Sequence, residues 1–61
     1  MSARTEFVIS NKMKEKGKLS FEDIKRIIDR SVNKTNEIIN SMIERGLIEK
    51  VNSNEYILKS K

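Results

Sequence analysis

The sequence predicts a mainly α-helical fold with a small β-hairpin, in a single domain over residues 1–61. Two observations support this prediction. Three stretches repeat apolar residues at helical spacing, and two short alternating runs follow the last of them, on either side of a polar loop. A core built from only 61 residues rarely supplies more than about 3–5 kcal/mol of net stability. The loss of one helix cap or one core residue is therefore expected to remove a large share of the stability.

The first helical pattern runs from about Ala3 to Lys16 and places Ala3, Phe7 and Met13 near one face, which Val8 and Ile9 widen. Gly17 is expected to end this helix, because glycine adopts the left-handed conformation of a helix C-terminus at little cost. Residues 18–20, which follow Gly17, are predicted to form a short extended segment in which Leu19 points inward.

The second helical pattern begins after Ser20, which is a suitable N-cap. Asp23, three residues later, completes the sequence of a capping box with Asp in place of Glu. We expect this helix to end near Ser31, where three weak helix formers follow one another. Its apolar stripe consists of Phe21, Ile24, Ile27 and Ile28.

The third helical pattern follows after about three residues, with Asn33 as the expected N-cap and Gly46 as the residue that stops it. A link this short fixes how two helices cross and predicts a helix-turn-helix. Thr35 is expected to be half-buried against the second helix. The buried stripe is expected to contain Ile38, Ile39, Met42 and Ile43.

Residues 47–58 are predicted to form a hairpin around the loop 52–54. Two strands alone are marginal in water, so the extended piece at Leu19 is expected to add a third strand. Over the whole domain, the residues expected to be mostly buried are Ile24, Ile28, Ile39, Met42, Leu47 and Leu58.

The composition argues against several classes of protein. The chain has no Cys and no His, which removes disulfides, the commonest metal ligand and the usual general base. It has no Gly-rich phosphate loop, and a domain this small is expected to lack a cleft of a few hundred Å³. We therefore expect neither an enzyme nor a bound cofactor.

The sequence also bears on localisation. Apolar runs are too short to span a membrane and the N-terminus lacks the core of a signal peptide, so we expect a cytoplasmic protein.

The net charge of +4 mildly favours anionic partners such as nucleic acid. Residues 1–18 carry five basic and two acidic side chains, whereas residues 33–46 carry two of each. The third helix is thus neutral. The basic surplus lies at the end of the first helix and in the loop after it, where Lys12, Lys14 and Lys16 are expected to form an ordinary solvated face.

The order helix, strand, helix, helix, strand, strand resembles the winged helix-turn-helix family. The resemblance rests on the stretch IERGLIEK, the loop NSN and the return strand YIL, and it covers about Phe7 to Lys59. One departure is that the link between the second and third helices has no Gly. In that family the third helix enters the DNA major groove and the hairpin contacts the flanking backbone or minor groove. The resemblance therefore implies a small transcriptional regulator that binds specific double-stranded DNA.

The family's contact positions fall on two parts of this sequence. Asn36 and Asn40 lie one helical turn apart, and an Asn amide can bond both an acceptor and a donor on adenine. Lys34 and Lys50 are the expected phosphate contacts. Alternatively, each Asn is an ordinary solvent residue and the loop is simply a good turn. The implied contacts are Lys34, Asn36, Glu37, Asn40 and Ser41 on the helix, and Lys50, Asn52, Ser53 and Asn54 on the hairpin.

A neutral third helix implies weak binding per subunit, which a homodimer on two half-sites would strengthen. One of Phe7, Val8 and Ile9 is expected at a two-fold interface, unless all three pack internally.

The alternative function is a winged helix that binds proteins within a larger assembly. Such a module should expose apolar or aromatic anchors, and the outer face of the third helix is predicted to have none. A third possibility is that these residues form one domain of a longer protein.

Overall fold

The computed structural model describes residues 3–59, which contain three helices and a three-stranded antiparallel sheet. The order of these elements is the one that the sequence predicts. The ends of the predicted domain 1–61 lie outside the described residues. The helices are α1 (Ala3–Lys16), α2 (Phe21–Ile28) and α3 (Val32–Glu44), and the strands are β1 (Leu19–Ser20), β2 (Ile48–Lys50) and β3 (Glu55–Leu58).

The sheet is completed by the short strand that precedes α2. β3 is the central strand, with β1 on one side and β2 on the other. Leu19 of β1 and Lys50 of β2 both pair with Tyr56, from opposite sides of β3. The predicted third strand at Leu19 is therefore confirmed, and it gives the hairpin the additional strand that a stable sheet needs.

The start of α2 has the capping box that the sequence predicts. The Ser20 hydroxyl accepts a hydrogen bond from the Asp23 N–H, and the Asp23 carboxylate accepts one from the Ser20 N–H. The bond from the Ser20 backbone is the main cause that lowers the pKa of Asp23. Just before this box, Gly17 ends α1 as predicted, with φ of 90° and its N–H donating to the Met13 carbonyl.

The end of α3 is a Schellman motif around Gly46. The Gly46 N–H donates to the Ile43 carbonyl, and the Leu47 N–H donates to the Met42 carbonyl. Gly46 has φ of 75°, in the left-handed region that favours glycine. The prediction that Gly46 stops the third helix is confirmed, and the motif turns the chain directly into β2.

Two predicted helix boundaries are wrong. α2 ends at Ile28 rather than near Ser31, because Asp29 adopts a left-handed backbone with φ of 53°, which Asp tolerates better than most residues. Ser31, not Asn33, is the N-cap of α3, since its hydroxyl accepts the N–H of Lys34. Asn33 therefore lies in the first turn of α3, where its side chain is exposed.

The core contains residues from all six elements. Of the predicted core residues, Ile24, Ile39 and Met42 are buried, while Ile28 and Leu58 are half-buried and pack against the core. The buried apolar residues are Ile9, Met13, Leu19, Ile24, Ile38, Ile39, Met42, Ile48 and Tyr56.

The prediction that Leu47 is buried is wrong. Its side chain is 38% exposed, and its neighbour Ile48 is buried instead. Successive residues of a strand point to opposite faces, so the face of β2 that packs on the helices takes Ile48 and excludes Leu47. Thr35, expected to be half-buried, is fully buried, and its hydroxyl has no hydrogen-bond partner among the residues described.

An ion pair that sequence reasoning missed joins α1 to the end of α3. The Arg45 guanidinium contacts the carboxylate of Glu6, whose side chain is only 14% exposed. The hydrogen bond from Arg45 is the main cause that lowers the pKa of Glu6, while partial burial of the carboxylate opposes this shift. The folded state therefore favours the ionised form of the Glu6 side chain.

We expect this ion pair to make the fold sensitive to acid. A carboxyl group whose pKa is lowered by folding stabilises the protein above its unfolded pKa, and that contribution is lost as the pH falls through the folded pKa. The ordinary pKa of Glu6 is 4.5, so the loss should occur below that value. Glu6→Gln removes the charge, and the dependence of Tm on pH in this range should become shallower.

Asp23 remains in the Glu6→Gln variant, and its lowered pKa should leave a residual acid dependence. Arg45→Gln should reduce the dependence as Glu6→Gln does, and combining both substitutions should add little, because either one already breaks the pair. A Glu6→Gln protein with the same curve of Tm against pH as the wild type would contradict this account.

Candidate nucleic-acid interface

α3 has one face in the core and one face in solvent. The buried face fixes the rotation of the helix about its axis, so the exposed face is held in one orientation. The buried residues are Thr35, Ile38, Ile39 and Met42. The exposed residues of α3 are polar except Val32 at its start, which is 49% exposed; the polar ones are Asn33, Lys34, Asn36, Glu37, Asn40 and Glu44.

The contacts predicted on α3 differ in how free their side chains are. Asn36 and Asn40 are exposed one turn apart on the same face, as the spacing predicts. Lys34 and Glu37 are also exposed, and the Lys34 Nζ lies 3.6 Å from Glu37 Oε1, in a weak surface ion pair that a phosphate can displace. Ser41 is half-buried. The two Asn amides are thus the groups on this face with the clearest capacity to read a base edge.

The hairpin loop uses part of its polar chemistry to hold its own shape. Asn52, Ser53 and Asn54 are all exposed. The Asn52 amide donates to Glu55 Oε1 at 2.7 Å, and its side-chain oxygen accepts the Asn54 N–H at 3.0 Å. The bond from Asn52 is also the main cause that lowers the pKa of Glu55. Asn52 therefore has a structural role in the turn, whatever else it contacts.

The loop is fastened to the start of α2. The Asn54 carbonyl accepts the Phe21 N–H at 3.0 Å, and Lys18 Nζ lies 3.5 Å from Glu55 Oε1. These contacts and the pairing of β1 with β3 hold the hairpin in a fixed position relative to the helices. Sequence reasoning missed them, because hydrogen bonds between residues so distant along the chain leave no local pattern.

Positive charge is sparse on α3 and the hairpin. Residues 32–59 contain four basic and four acidic side chains. Lys50, a predicted phosphate contact, is exposed, and its Nζ lies 5.9 Å from the centroid of the Tyr56 ring, at cation–π distance. Any phosphate contacts made by this part of the molecule are therefore few.

No family model, curated protein or solved structure matches this chain. A functional assignment consequently depends on the geometry and chemistry of the chain itself. Among residues 3–59, no helix combines the length and the apolar character that crossing a membrane requires.

A second surface feature lies away from the predicted contacts. Two adjoining depressions, of about 260 and 230 Å³, run along the seam between α1 and α2 and share Ile27. We call this seam the α1–α2 groove. Two helices leave this groove between them without enclosing it.

Proposed function

We propose that this protein is a winged helix-turn-helix that binds double-stranded DNA with sequence preference, as a small transcriptional regulator. α3 is the helix that enters the major groove, and the β2–β3 hairpin is the wing. The observation that carries the proposal is the exposed row of Asn33, Asn36 and Asn40 on a helix whose opposite face is fixed in the core. A major groove about 12 Å wide admits one helix, and Asn amides pair with adenine there.

The hairpin supports the proposal because it is braced against the helices. The hydrogen bond from Phe21 to Asn54 and the ion pair between Lys18 and Glu55 keep the loop in place, as a wing beside DNA requires. Lys50, Ser53 and Asn54 have exposed side chains that can face a phosphate or the minor groove. The neutral charge of α3 and the hairpin means that counterion release contributes little, so the salt dependence of binding should be shallow.

We propose further that the protein binds as a homodimer, because one subunit offers few phosphate contacts. Of the apolar residues predicted at a two-fold interface, Ile9 is in the core, Val8 is 39% exposed and Phe7 is 65% exposed. Phe7 is therefore the residue best placed to contact a second copy. Two half-sites about one helical turn apart would raise the affinity without new types of contact.

The proposal is tested by separating base contacts from phosphate contacts. A preferred duplex is first selected from random sequences at low salt. Asn40→Ala should then weaken binding to that duplex by about 1–3 kcal/mol and flatten the preference at one position, with an unchanged salt slope. Lys34→Ala should weaken binding to all sequences alike and reduce the salt slope by about one.

Lys14→Ala is the matched control for Lys34→Ala, because Lys14 is an exposed lysine on α1, outside the proposed interface. It should leave affinity, preference and salt slope close to those of the wild type. If the wild-type protein shows no salt-dependent binding to any duplex at about 50 mM salt, where phosphate contacts are strongest, the DNA proposal is rejected.

A further inference from the structure

The α1–α2 groove combines an apolar floor with a basic rim. Its floor includes Val8, which is 39% exposed, together with Ile27 and Ile28, which are half-buried and pack against the core. α1 supplies a row at four-residue spacing, which lies along one side of the helix. That row is Arg4, Val8, Lys12 and Lys16.

The positive charge of the protein is concentrated at this groove. Five basic residues and one acidic residue line it, a net charge of +4, which equals the net charge of the whole chain. The remaining residues therefore balance to zero. The basic residues are Arg4, Lys12, Lys16, Arg26 and Arg30.

Most of this positive charge is not neutralised within the fold. The acidic residue of the groove, Asp23, already accepts the hydrogen bond of the capping box and lies 3.9 Å from Arg26. Lys12 pairs with Glu15 at 3.3 Å. Arg4, Lys16 and Arg30 make no ion pair with any residue in the described part of the chain. Arg4 and Arg30 are free to meet carboxylates from outside, whereas the charge of Lys16 already acts on Asp23 and helps to lower its pKa.

The chemistry of the groove favours a peptide over other occupants. The two adjoining depressions form one groove that stays open to solvent along its length, whereas small-molecule sites enclose most of their ligand. A phosphate backbone would satisfy the rim but would place charge over the apolar floor, which is unfavourable. A second copy of this chain would bring +4 against +4, and its longest acidic run is Glu22–Asp23.

We propose that the α1–α2 groove docks an acidic segment of a partner protein. One or two apolar side chains of that segment lie on the floor around Ile27, and its carboxylates pair with Arg4, Arg30 and Lys16. The groove contains no residue of α3 or of the hairpin, so docking here is compatible with a separate DNA-binding face. The proposal thus stands independently of the DNA function.

The test starts from a displayed library of random short peptides, selected on the immobilised wild-type protein. A parallel selection uses the double variant Val8→Glu, Arg30→Glu, which is changed only at the groove. We expect peptides with acidic residues around apolar ones to be enriched on the wild type alone. The best peptide, labelled and titrated by fluorescence anisotropy, should shift backbone amide signals of α1 and α2 in NMR spectra and leave those of α3 in place.

The peptide affinities of single variants then show which residues of the groove contribute to binding. An exposed ion pair changes affinity by up to about fivefold, and charge reversal adds repulsion, so Arg30→Glu should weaken peptide binding by about tenfold. Val8→Glu should do the same by placing a charge on the apolar floor. Lys14→Glu is the matched control, because Lys14 is exposed on the same helix but does not line the groove. Circular dichroism confirms that each variant is folded.

Four results would overturn the proposal. The first is equal enrichment on the wild type and the double variant, and the second is that the enriched peptides lack acidic residues. The third is a Lys14→Glu protein that binds the peptide as weakly as Arg30→Glu does. The fourth is that duplex DNA displaces the peptide from the groove. The last result would make the groove a phosphate site instead.

Discussion

Ile39→Ala is expected to leave the protein largely unfolded at room temperature. Ile39 is buried on the core face of α3, among residues from every other element. Replacing a buried Ile with Ala costs about 2–5 kcal/mol, because apolar contacts are lost and the cavity collapses only in part. That is comparable with the roughly 3–5 kcal/mol that a domain of this size possesses. Urea titration followed by circular dichroism measures the loss.

Thr35→Val is the matched control for Ile39→Ala. Thr35 lies one turn earlier on the same helix and is equally buried, but its hydroxyl has no hydrogen-bond partner in the described residues. A methyl group fills the same space without leaving a polar group unbonded, which costs about 1–3 kcal/mol. Thr35→Val should therefore be at least as stable as the wild type. A cooperatively folded Ile39→Ala protein with the wild-type midpoint would mean that α3 faces the other way.

Gly46→Val is expected to destabilise the protein by about 2 kcal/mol, through the backbone alone. Gly46 has φ of 75°, where an L-residue costs about 1–2 kcal/mol and a β-branched residue more. A Cβ built on Gly46 meets no atom within 4 Å, so no steric clash with the rest of the fold contributes.

Gly46→Asn separates this cause from a general effect of adding a side chain. Asn adopts the left-handed region more readily than other residues with a Cβ, so Gly46→Asn should lose clearly less stability than Gly46→Val. Thermal and urea unfolding of both variants measure the two losses of stability. Equal losses for Val and Asn would show that φ at Gly46 is not the cause.

The helix ends that the sequence predicted correctly depend on local chemistry. Gly17 and Gly46 end helices because positive φ suits glycine, and Ser20 with Asp23 forms a box within four residues. Each of these signals involves residues close together in the chain. They can be read without knowing how the helices pack.

Two of the predictions are wrong because nearby residues offer the same chemistry. Leu47 and Ile48 are both apolar, and only the packing of β2 on the helices decides which faces inward. Ser31 and Asn33 are both good N-caps, and the left-handed turn at Asp29 makes Ser31 the cap. In each case the choice depends on tertiary structure.

The candidate surfaces were predictable to different degrees. Periodicity alone predicts that Asn36 and Asn40 share an exposed face, and both are exposed. The α1–α2 groove was not predicted, although the four-residue spacing of Arg4, Val8 and Lys12 is visible in the sequence. That row becomes a groove only because α2 packs beside it, and no pattern within α1 contains this information.

The central position of β3 has a consequence for synthesis on the ribosome. β3 is the last element of the described chain, yet both other strands pair with it, and Leu19 must wait for Tyr56 to be made. The nascent chain can therefore form its helices early but completes its sheet only after residues 55–58 have left the ribosome. Until then the backbones of Leu19 and Ile48 lack the strand with which they pair. A chain interrupted before residue 55 would present these unpaired strand edges to chaperones and proteases.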